Sequence, residues 1–314
     1  MEILIVGAGV IGTIYGSILA DAGHAVTHYV RPGKKKTLEN GISVRLLDGR
    51  SKKPTERSFT YNLKLTEELS AAHHYDLFIV SVRHYHIASV LPIIKDHIGQ
   101  ADLLFFNGIW KGLDEINQYI SPSKYLWGFP VAGGGFDGQD LNGAVLGEIH
   151  LGELTGESTA RLQRIRNVFE QAHIKVDVQS NMLHWLWVHF AINCGVIGAA
   201  FKAGGAKQLL SSIGNLRKAI LAGRDALSVC RARGVDVSAF DDAKSFSLPP
   251  VLGAFAVWMM MKTNLPARRI FEKHTAVDEL QKMYIDVLTT GNDLNVPMPE
   301  YMSLRPYVDN PHLH

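Results

Sequence analysis

The chain has 314 residues, 46% hydrophobic and 20% charged, which is enough apolar material for two cores. Its 32 Lys and Arg against 30 Asp and Glu leave a formal charge of +2, which argues against nucleic acid or an anionic membrane surface as a partner. Cys194 and Cys230 are too few for a disulfide framework and show no CxxC spacing; they read as buried thiols in a reducing, cytoplasmic compartment.

Residues 1–20 are apolar but lack the leading positive charge of a signal peptide, and three glycines interrupt them at motif spacing. Residues 3–6 predict a strand, 10–22 a helix ended by Gly23, and 25–30 a second strand closed by Arg31-Pro32-Gly33, the start of a βαβ unit. Residues 76–82 predict another strand, 87–98 a helix, and 102–106 a strand ending at Asn107-Gly108. This alternation implies a mainly parallel sheet. Glycines are dense from 128 to 156, where 144–146 and 148–151 predict short hairpin strands. A helix over 159–172 and a last strand over 174–178 follow. Beyond Asn181 the pattern is helical to about Asn292, with breaks at Gly204-Gly205, Gly234, Pro249-Pro250 and Pro266. The apolar run 251–261 is too short for a bilayer, which needs about 20 residues. The expected organisation is an α/β domain of Rossmann type with a mainly parallel sheet over 1–180, then an all-helical domain over 181–314.

Gly7-Ala8-Gly9-Val10-Ile11-Gly12 stands between the first strand and the first helix. In such a loop Gly7 allows the tight turn, Gly9 lets backbone approach a pyrophosphate, and Gly12 lets the helix pack close to the sheet. The helix N-terminus adds free N–H groups and a partial positive charge. NAD sites usually carry an acid about 20 residues further on. Here the second strand ends in His28-Tyr29-Val30-Arg31, with no acid and with a guanidinium able to clamp a 2′-phosphate. The expected cofactor is therefore NADP(H). Lys34, Lys35 and Lys36 read mainly as a solvated loop. Asn107, just past a strand's C-terminal end, lies where open α/β sheets bind ligands. His73, His74, His84 and His86 show no ligand spacing with Cys or carboxylate, so no metal site is expected.

With the helical second half, these features resemble the ketopantoate reductase family (2-dehydropantoate 2-reductases) over nearly the whole chain. The resemblance runs through the 7–12 loop, Arg31, Ser81-Val82-Arg83, Phe106-Asn107-Gly108 and the glycine-rich turn containing Gly134. It continues through Trp187-Val188-His189-Phe190-Ala191-Ile192-Asn193-Cys194, His274-Thr275-Ala276-Val277-Asp278 and Asn295-Val296-Pro297. It implies an NADPH-dependent oxidoreductase that reduces a small 2-keto acid or related carbonyl, with a place in pantothenate biosynthesis. It adds Arg83, Asn107 and Gly134 to Gly7, Gly9, Gly12 and Arg31 as cofactor contacts. In the family a helix lysine protonates the carbonyl oxygen, asparagines on that helix hold substrate, and a later glutamate assists. The lysine position reads His189 here. The first asparagine is Asn193, one turn on and on the same face, and the second reads Ile197. The glutamate position reads Ala276, and a substrate-binding serine falls near Asn264.

Carbonyl reduction needs a proton donor near the developing alkoxide. An imidazolium can donate, over a more acidic range than a lysine. The expected catalytic residues are His189 and Asn193, the expected substrate contacts Asn193 and Asn264, and the partner a small molecule, with a homodimer left open. The replaced lysine and glutamate imply weak or absent turnover of ketopantoate itself. They also support a second reading, a catalytically divergent NADP-binding protein with a regulatory or interaction role. Ile197 suits a third, an oxidoreductase for a more apolar substrate.

Overall fold

The structure, a computed structural model, describes residues 1–70, 74–154 and 156–311, so His73 lies outside the described residues. Two units make up the chain, Met1–Leu183 and His184–His314.

In the first unit the elements run β1 (Glu2–Val6), α1 (Val10–Asp21), β2 (Ala25–Tyr29), α2 (Lys35–Leu38), β3 (Ile42–Gly49), β4 (Thr55–Tyr61), β5 (Lys64–Thr66) and β6 (Leu77–Val80). They continue with α3 (Ile87–Ile94), β7 (Asp102–Phe106), α4 (Asp114–Asn117), β8 (Tyr125–Asp137), β9 (Asp140–Gly152), α5 (Ala160–Gln171) and β10 (Lys175–Val178). Among the described residues the strands form one sheet in the order β4-β3-β9-β8-β7-β6-β1-β2-β5, with β10 against β9. Pairing is parallel except at β3–β4 and β8–β9. β1, β6 and β7 are continuous apolar runs because helices and sheet bury both of their faces. The chain leaves β1 for β2 on one side and returns as β6 on the other. That reversal makes a topological switch point at the carboxyl end of β1, where open α/β sheets bind ligands.

α1 lies close to the sheet for a steric reason. A Cβ at Gly16 would sit 2.5 Å from His28 Nε2. His28 is wholly buried on β2, with Nδ1 3.0 Å from the Gly7 carbonyl and Nε2 3.1 Å from the Tyr61 hydroxyl. A carbonyl only accepts, so Nδ1–H donates to Gly7 and Nε2 accepts from Tyr61. Burial pulls the imidazole down to about 4, and the ring is neutral. On the same face Tyr15 of α1 meets Phe106 edge-on at 4.8 Å, within a core that includes Ile5, Ile14, Leu104 and Phe169.

Several elements differ from the sequence expectations. The 128–156 region is not a pair of short strands; β8 and β9 are each 13 residues long and pair along almost their whole length, with an irregularity between Pro130 and Ala132. The third helix stops at Ile94 instead of Ile98 and carries Pro92 inside it. β3, β4 and β5 form where no element was expected.

The second unit is helical in every described element, with α6 (Met182–Ala203) beginning just before its boundary. There follow α7 (Ala206–Leu210), α8 (Ile213–Ala232), α9 (Lys244–Ser247), α10 (Pro250–Thr263), α11 (Leu265–Glu272) and α12 (Val277–Asp293). Two short helices beyond the expected end, α13 (Pro299–Met302) and α14 (Arg305–Asp309), close the chain. Gly204, Gly205 and Gly234 break the helices at positive φ, whereas Pro266 sits in the first turn of α11, where a missing N–H costs nothing. α6 is long and apolar enough to cross a membrane by length and composition, but most of it is buried core. It meets α8 at a glycine crossing, where a Cβ on Gly195 would lie 2.5 Å from the Gly223 amide nitrogen. Phe246 of α9 covers Gly223, and Arg224 donates to the Phe246 and Leu248 carbonyls. Cys194 and Cys230 are both buried; burial raises both thiols, Cys230 to about 12, so neither is a thiolate.

The buried neutral His28 carries a pH signature. Its folded pKa lies below the unfolded one, so the unfolded chain takes up the extra proton. The contribution is complete above about pH 6.5 and is lost as pH falls toward 4, amounting to about 3 kcal/mol. Thermal melts at pH 7.5 and 4.5 check this. Wild type should lose distinctly more stability than His28→Gln over that interval, and equal losses would show that the ring charges freely in the folded state.

Candidate active site

The carboxyl ends of β1, β2, β6 and β7 bring together most of the expected cofactor residues. Gly7 has φ +111°, a conformation that favours glycine, and its N–H donates to the Tyr29 carbonyl at 3.0 Å. A Cβ on Gly12 would lie 2.6 Å from the Gly7 carbonyl oxygen and 2.9 Å from Ser81 Oγ, so this residue has to be glycine. Ser81 Oγ in turn donates to the Val6 carbonyl at 3.2 Å, which ties the end of β6 to the end of β1. Gly9 behaves differently: a Cβ there would meet nothing within 4 Å. It caps α1 without a side-chain hydrogen bond, so the first N–H groups of a 12-residue helix face a gap kept clear of side chains.

Asn107 follows β7 directly. Its Nδ2 donates to the Val82 carbonyl at 2.7 Å, and its own carbonyl accepts from Trp127 Nε1 at 2.7 Å. Since Val82 offers only an acceptor, the amide orientation is fixed and Oδ1 points elsewhere. Oδ1 is buried with no partner among the described residues. A buried orphan acceptor at a switch point fits a ligand N–H. Arg83 is next in the chain to Val82, and its guanidinium donates to Tyr85 Oη at 2.7 Å. Arg31, exposed beyond β2, makes no side-chain hydrogen bond or ion pair among the described residues. The neighbourhood is not free of acids, however. Glu67, just after β5, accepts from the Lys35 N–H at 2.7 Å at the start of α2. The glycine loop, the helix terminus and the orphaned Asn107 oxygen fit a bound dinucleotide.

Gly134 has a steric role of its own. It lies within β8 at φ +153°, and a Cβ there would come 2.3 Å from the Asn142 carbonyl oxygen of β9. Strand packing requires this glycine.

In the second unit, His189 and Asn193 are one turn apart on α6. Trp185, one turn before His189, stacks on its ring at 4.8 Å and 15°. His189 Nδ1 lies 2.8 Å from Asp242 Oδ2, in the one-turn helix at 241–243 that precedes α9. Both side chains keep about a quarter of their surface exposed, 25% and 29%, so the pair is reachable from solvent. Asn193 is half-buried, and its amide makes no hydrogen bond with any described residue. Ile197 is only 5% exposed and belongs to the helix core. Ala276 is the residue before α12, where it offers no acid–base group. Asn264, expected to bind substrate, instead caps a helix, because its Oδ1 accepts from the Ala267 N–H at 3.0 Å at the start of α11. The sequence reading missed Asp242, His28 and Glu67.

The described histidines and acids include one group whose ligand atoms lie close together, Glu148, His150 and Asp177, within 4.8 Å of one another. His74, His84 and His86 are not part of it. Lys175 pairs with Glu148 at 2.6 Å, and Gln179 donates to Asp177 at 2.6 Å, so both carboxylates already have partners.

The sequence profile of the family described as ketopantoate reductase PanE/ApbA matches residues 3–156. Residues 3–156 are thus a domain of the ketopantoate reductase family, a family of oxidoreductases. It is 25% identical over 218 residues to a 2-dehydropantoate 2-reductase of Pyrococcus horikoshii, covering 63% of this chain and 64% of that one. It is 24% identical over 202 residues to YkpB of Bacillus subtilis, an uncharacterized oxidoreductase, covering 60% of each. The matches thus span less than two thirds of these relatives' lengths. Among solved structures, 2-dehydropantoate 2-reductase from Geobacter metallireducens GS-15 is similar at TM-score 0.72 and 17% identity, over 98% of this chain and 99% of that one. A D-mandelate dehydrogenase solved with NADH and anilino(oxo)acetate is similar at TM-score 0.72 and 15% identity, over 98% and 97%. At these identities the likeness is one of fold.

Gly9 separates binding from folding. Gly9→Ala places its methyl where the protein has nothing, so stability should change by no more than about 0.5 kcal/mol. Affinity for the dinucleotide should fall about tenfold or more, or about 1.4 kcal/mol. Thermal melts and a fluorescence titration with NADPH check both halves. Unchanged affinity would remove the loop from the pyrophosphate site.

Proposed function

We propose that this family member is an NADPH-dependent reductase of a small 2-keto acid or related carbonyl. One observation carries the reading: the residue at the family's lysine position is a reachable imidazole hydrogen-bonded to a carboxylate, one helical turn from an amide with no other partner among the described residues. That arrangement suits proton transfer better than inert packing. The 7–12 loop and the start of α1 would hold the pyrophosphate, Arg31 the 2′-phosphate, and Asn107 Oδ1 an N–H of the nicotinamide carboxamide. When bound, the dinucleotide supplies a hydride to the carbonyl carbon. His189 gives its proton to the carbonyl oxygen, which would otherwise build up charge, and the Asn193 amide donates to an oxygen of the substrate. With His189 and Ala276 at the lysine and glutamate positions, and with Ile197 and Asn264 occupied in packing and capping, ketopantoate is a poor substrate. Screening NADPH oxidation against a panel of 2-keto acids, ketopantoate included, tests the reading; no turnover of any member would overturn it.

Cofactor choice rests on Arg31. NADPH should bind about tenfold or more tightly than NADH, an advantage of about 1.4 kcal/mol that one charge-assisted contact can supply. Arg31→Ala should erase the difference by weakening NADPH alone. A preference that survives the substitution would assign it to another residue.

His189→Ala should slow the chemical step by roughly 10²–10⁴-fold, the usual worth of general acid catalysis, while NADPH affinity stays the same. Single-turnover kinetics and a cofactor titration on the same variant check both. A wild-type rate in the alanine variant would make the histidine structural.

A further inference from the structure

We propose that Asp242 is the positioning residue for His189: it fixes the orientation of the ring and which ring nitrogen is left to exchange a proton with the substrate. The inference rests on the reading of His189 as the proton donor and adds a group that no sequence motif marks. Asp242 Oδ2 and His189 Nδ1 are 2.8 Å apart, a charge-assisted hydrogen-bond distance. A carboxylate on Nδ1 keeps that nitrogen protonated and leaves Nε2 as the atom that gives up and regains the proton. The Trp185 ring, parallel to the imidazole at 4.8 Å, restricts its rotation.

The fold holds Asp242 in place through contacts of its own. Phe246 packs over Gly223, Arg224 donates to the Phe246 and Leu248 carbonyls, and Gly223 meets Gly195 on the helix that bears His189. The segment carrying Asp242 is thereby tied to α8 and α8 to α6. The neighbouring charges are otherwise engaged. Asp241 pairs with Lys244 at 2.7 Å, Arg224 is directed at backbone carbonyls, and Arg233 lies over the Trp187 ring at 3.4 Å. Asp242 is therefore the carboxylate that the structure sets against His189.

In the family the donor is a lysine, which keeps its proton at neutral pH without help. A histidine has two ring nitrogens, and a carboxylate on one of them decides which is left for the substrate. During reduction the Nε2–H bond breaks as the O–H bond of the product alcohol forms. The ring ends neutral, still hydrogen-bonded to Asp242 through Nδ1, and is re-protonated from water.

The deciding experiment needs no substrate. The full chain is labelled with ¹⁵N-histidine, and the His189 signals are assigned by their loss in His189→Gln. They are then recorded for the neutral ring in wild type, Asp242→Asn and Asp242→Glu, because the ¹⁵N shifts report the tautomer. In wild type the neutral ring should carry its proton on Nδ1, and in Asp242→Asn a large share of it should move to Nε2. Asp242→Glu should recover part of the Nδ1–H form. On a turned-over keto acid, Asp242→Asn should slow the chemical step about 10–100-fold, a typical cost for losing an orienting partner, with KM nearly unchanged. An asparagine variant with the wild-type tautomer overturns the proposal while leaving His189 as the acid. Wild-type turnover by His189→Ala overturns the reading of His189 itself, and the role of Asp242 with it.

Discussion

The turn after β1 constrains the nucleotide end of the protein through the backbone of one residue. Gly7 donates its N–H to the Tyr29 carbonyl on β2, accepts a hydrogen bond at its own carbonyl from the buried His28, and lies so near Gly12 that no Cβ fits between them. Each contact is short because the side chains that would block it are absent or buried elsewhere. Once the turn is fixed, α1 starts where its free N–H groups face the gap above Gly9, and Ser81 can bind the Val6 carbonyl. β6 then presents Val82 to Asn107, whose remaining oxygen has no partner among the described residues. A change at Gly7, Gly12 or His28 therefore propagates to the start of α1, to Ser81 and to Asn107.

The helical unit shows the same logic with different parts. There the close approach is between helices, at Gly195 and Gly223, and its consequence is the placement of a loop. Phe246 fills the space over Gly223, and the turn just before it carries Asp242 to His189. The family's lysine acts as a self-sufficient cation. On the proposed reading, this chain divides that work between an imidazole and a carboxylate supplied by a separate segment, so that the lysine can be lost and a proton donor kept.

The local features were legible in the sequence. β1, α1, β2 and the glycine loop are contiguous, and each glycine of the loop has a steric or open-space reason that the motif anticipates. The alternation of strands and helices likewise pointed to the parallel sheet. Asn107 was legible by its place after an apolar run. The strand over 42–49 carried a signal too, the alternation Ile42, Ser43, Val44, Arg45, Leu46, but its partner β4 is a polar edge strand with little pattern of its own. Asn264 before Leu265-Pro266 has the form of a helix cap, which the family resemblance obscured. The steric reason for Gly134 was not legible, because nothing in one dimension shows that the β9 backbone passes beside it. Asp242 is 53 residues from His189, and only the packing of α6, α8 and α9 joins them. Tertiary contacts at that separation leave no trace in a single sequence.

The central claim is that the first unit is built to bind a nicotinamide dinucleotide, and calorimetric titration of the full chain with NADPH tests it most directly. The expected result is saturable binding at one site per chain, lost when Asn107 is replaced by leucine and Gly9 by valine together. Absence of saturation by either NADPH or NADH up to about 1 mM, where binding is worth only about 4 kcal/mol, would contradict it.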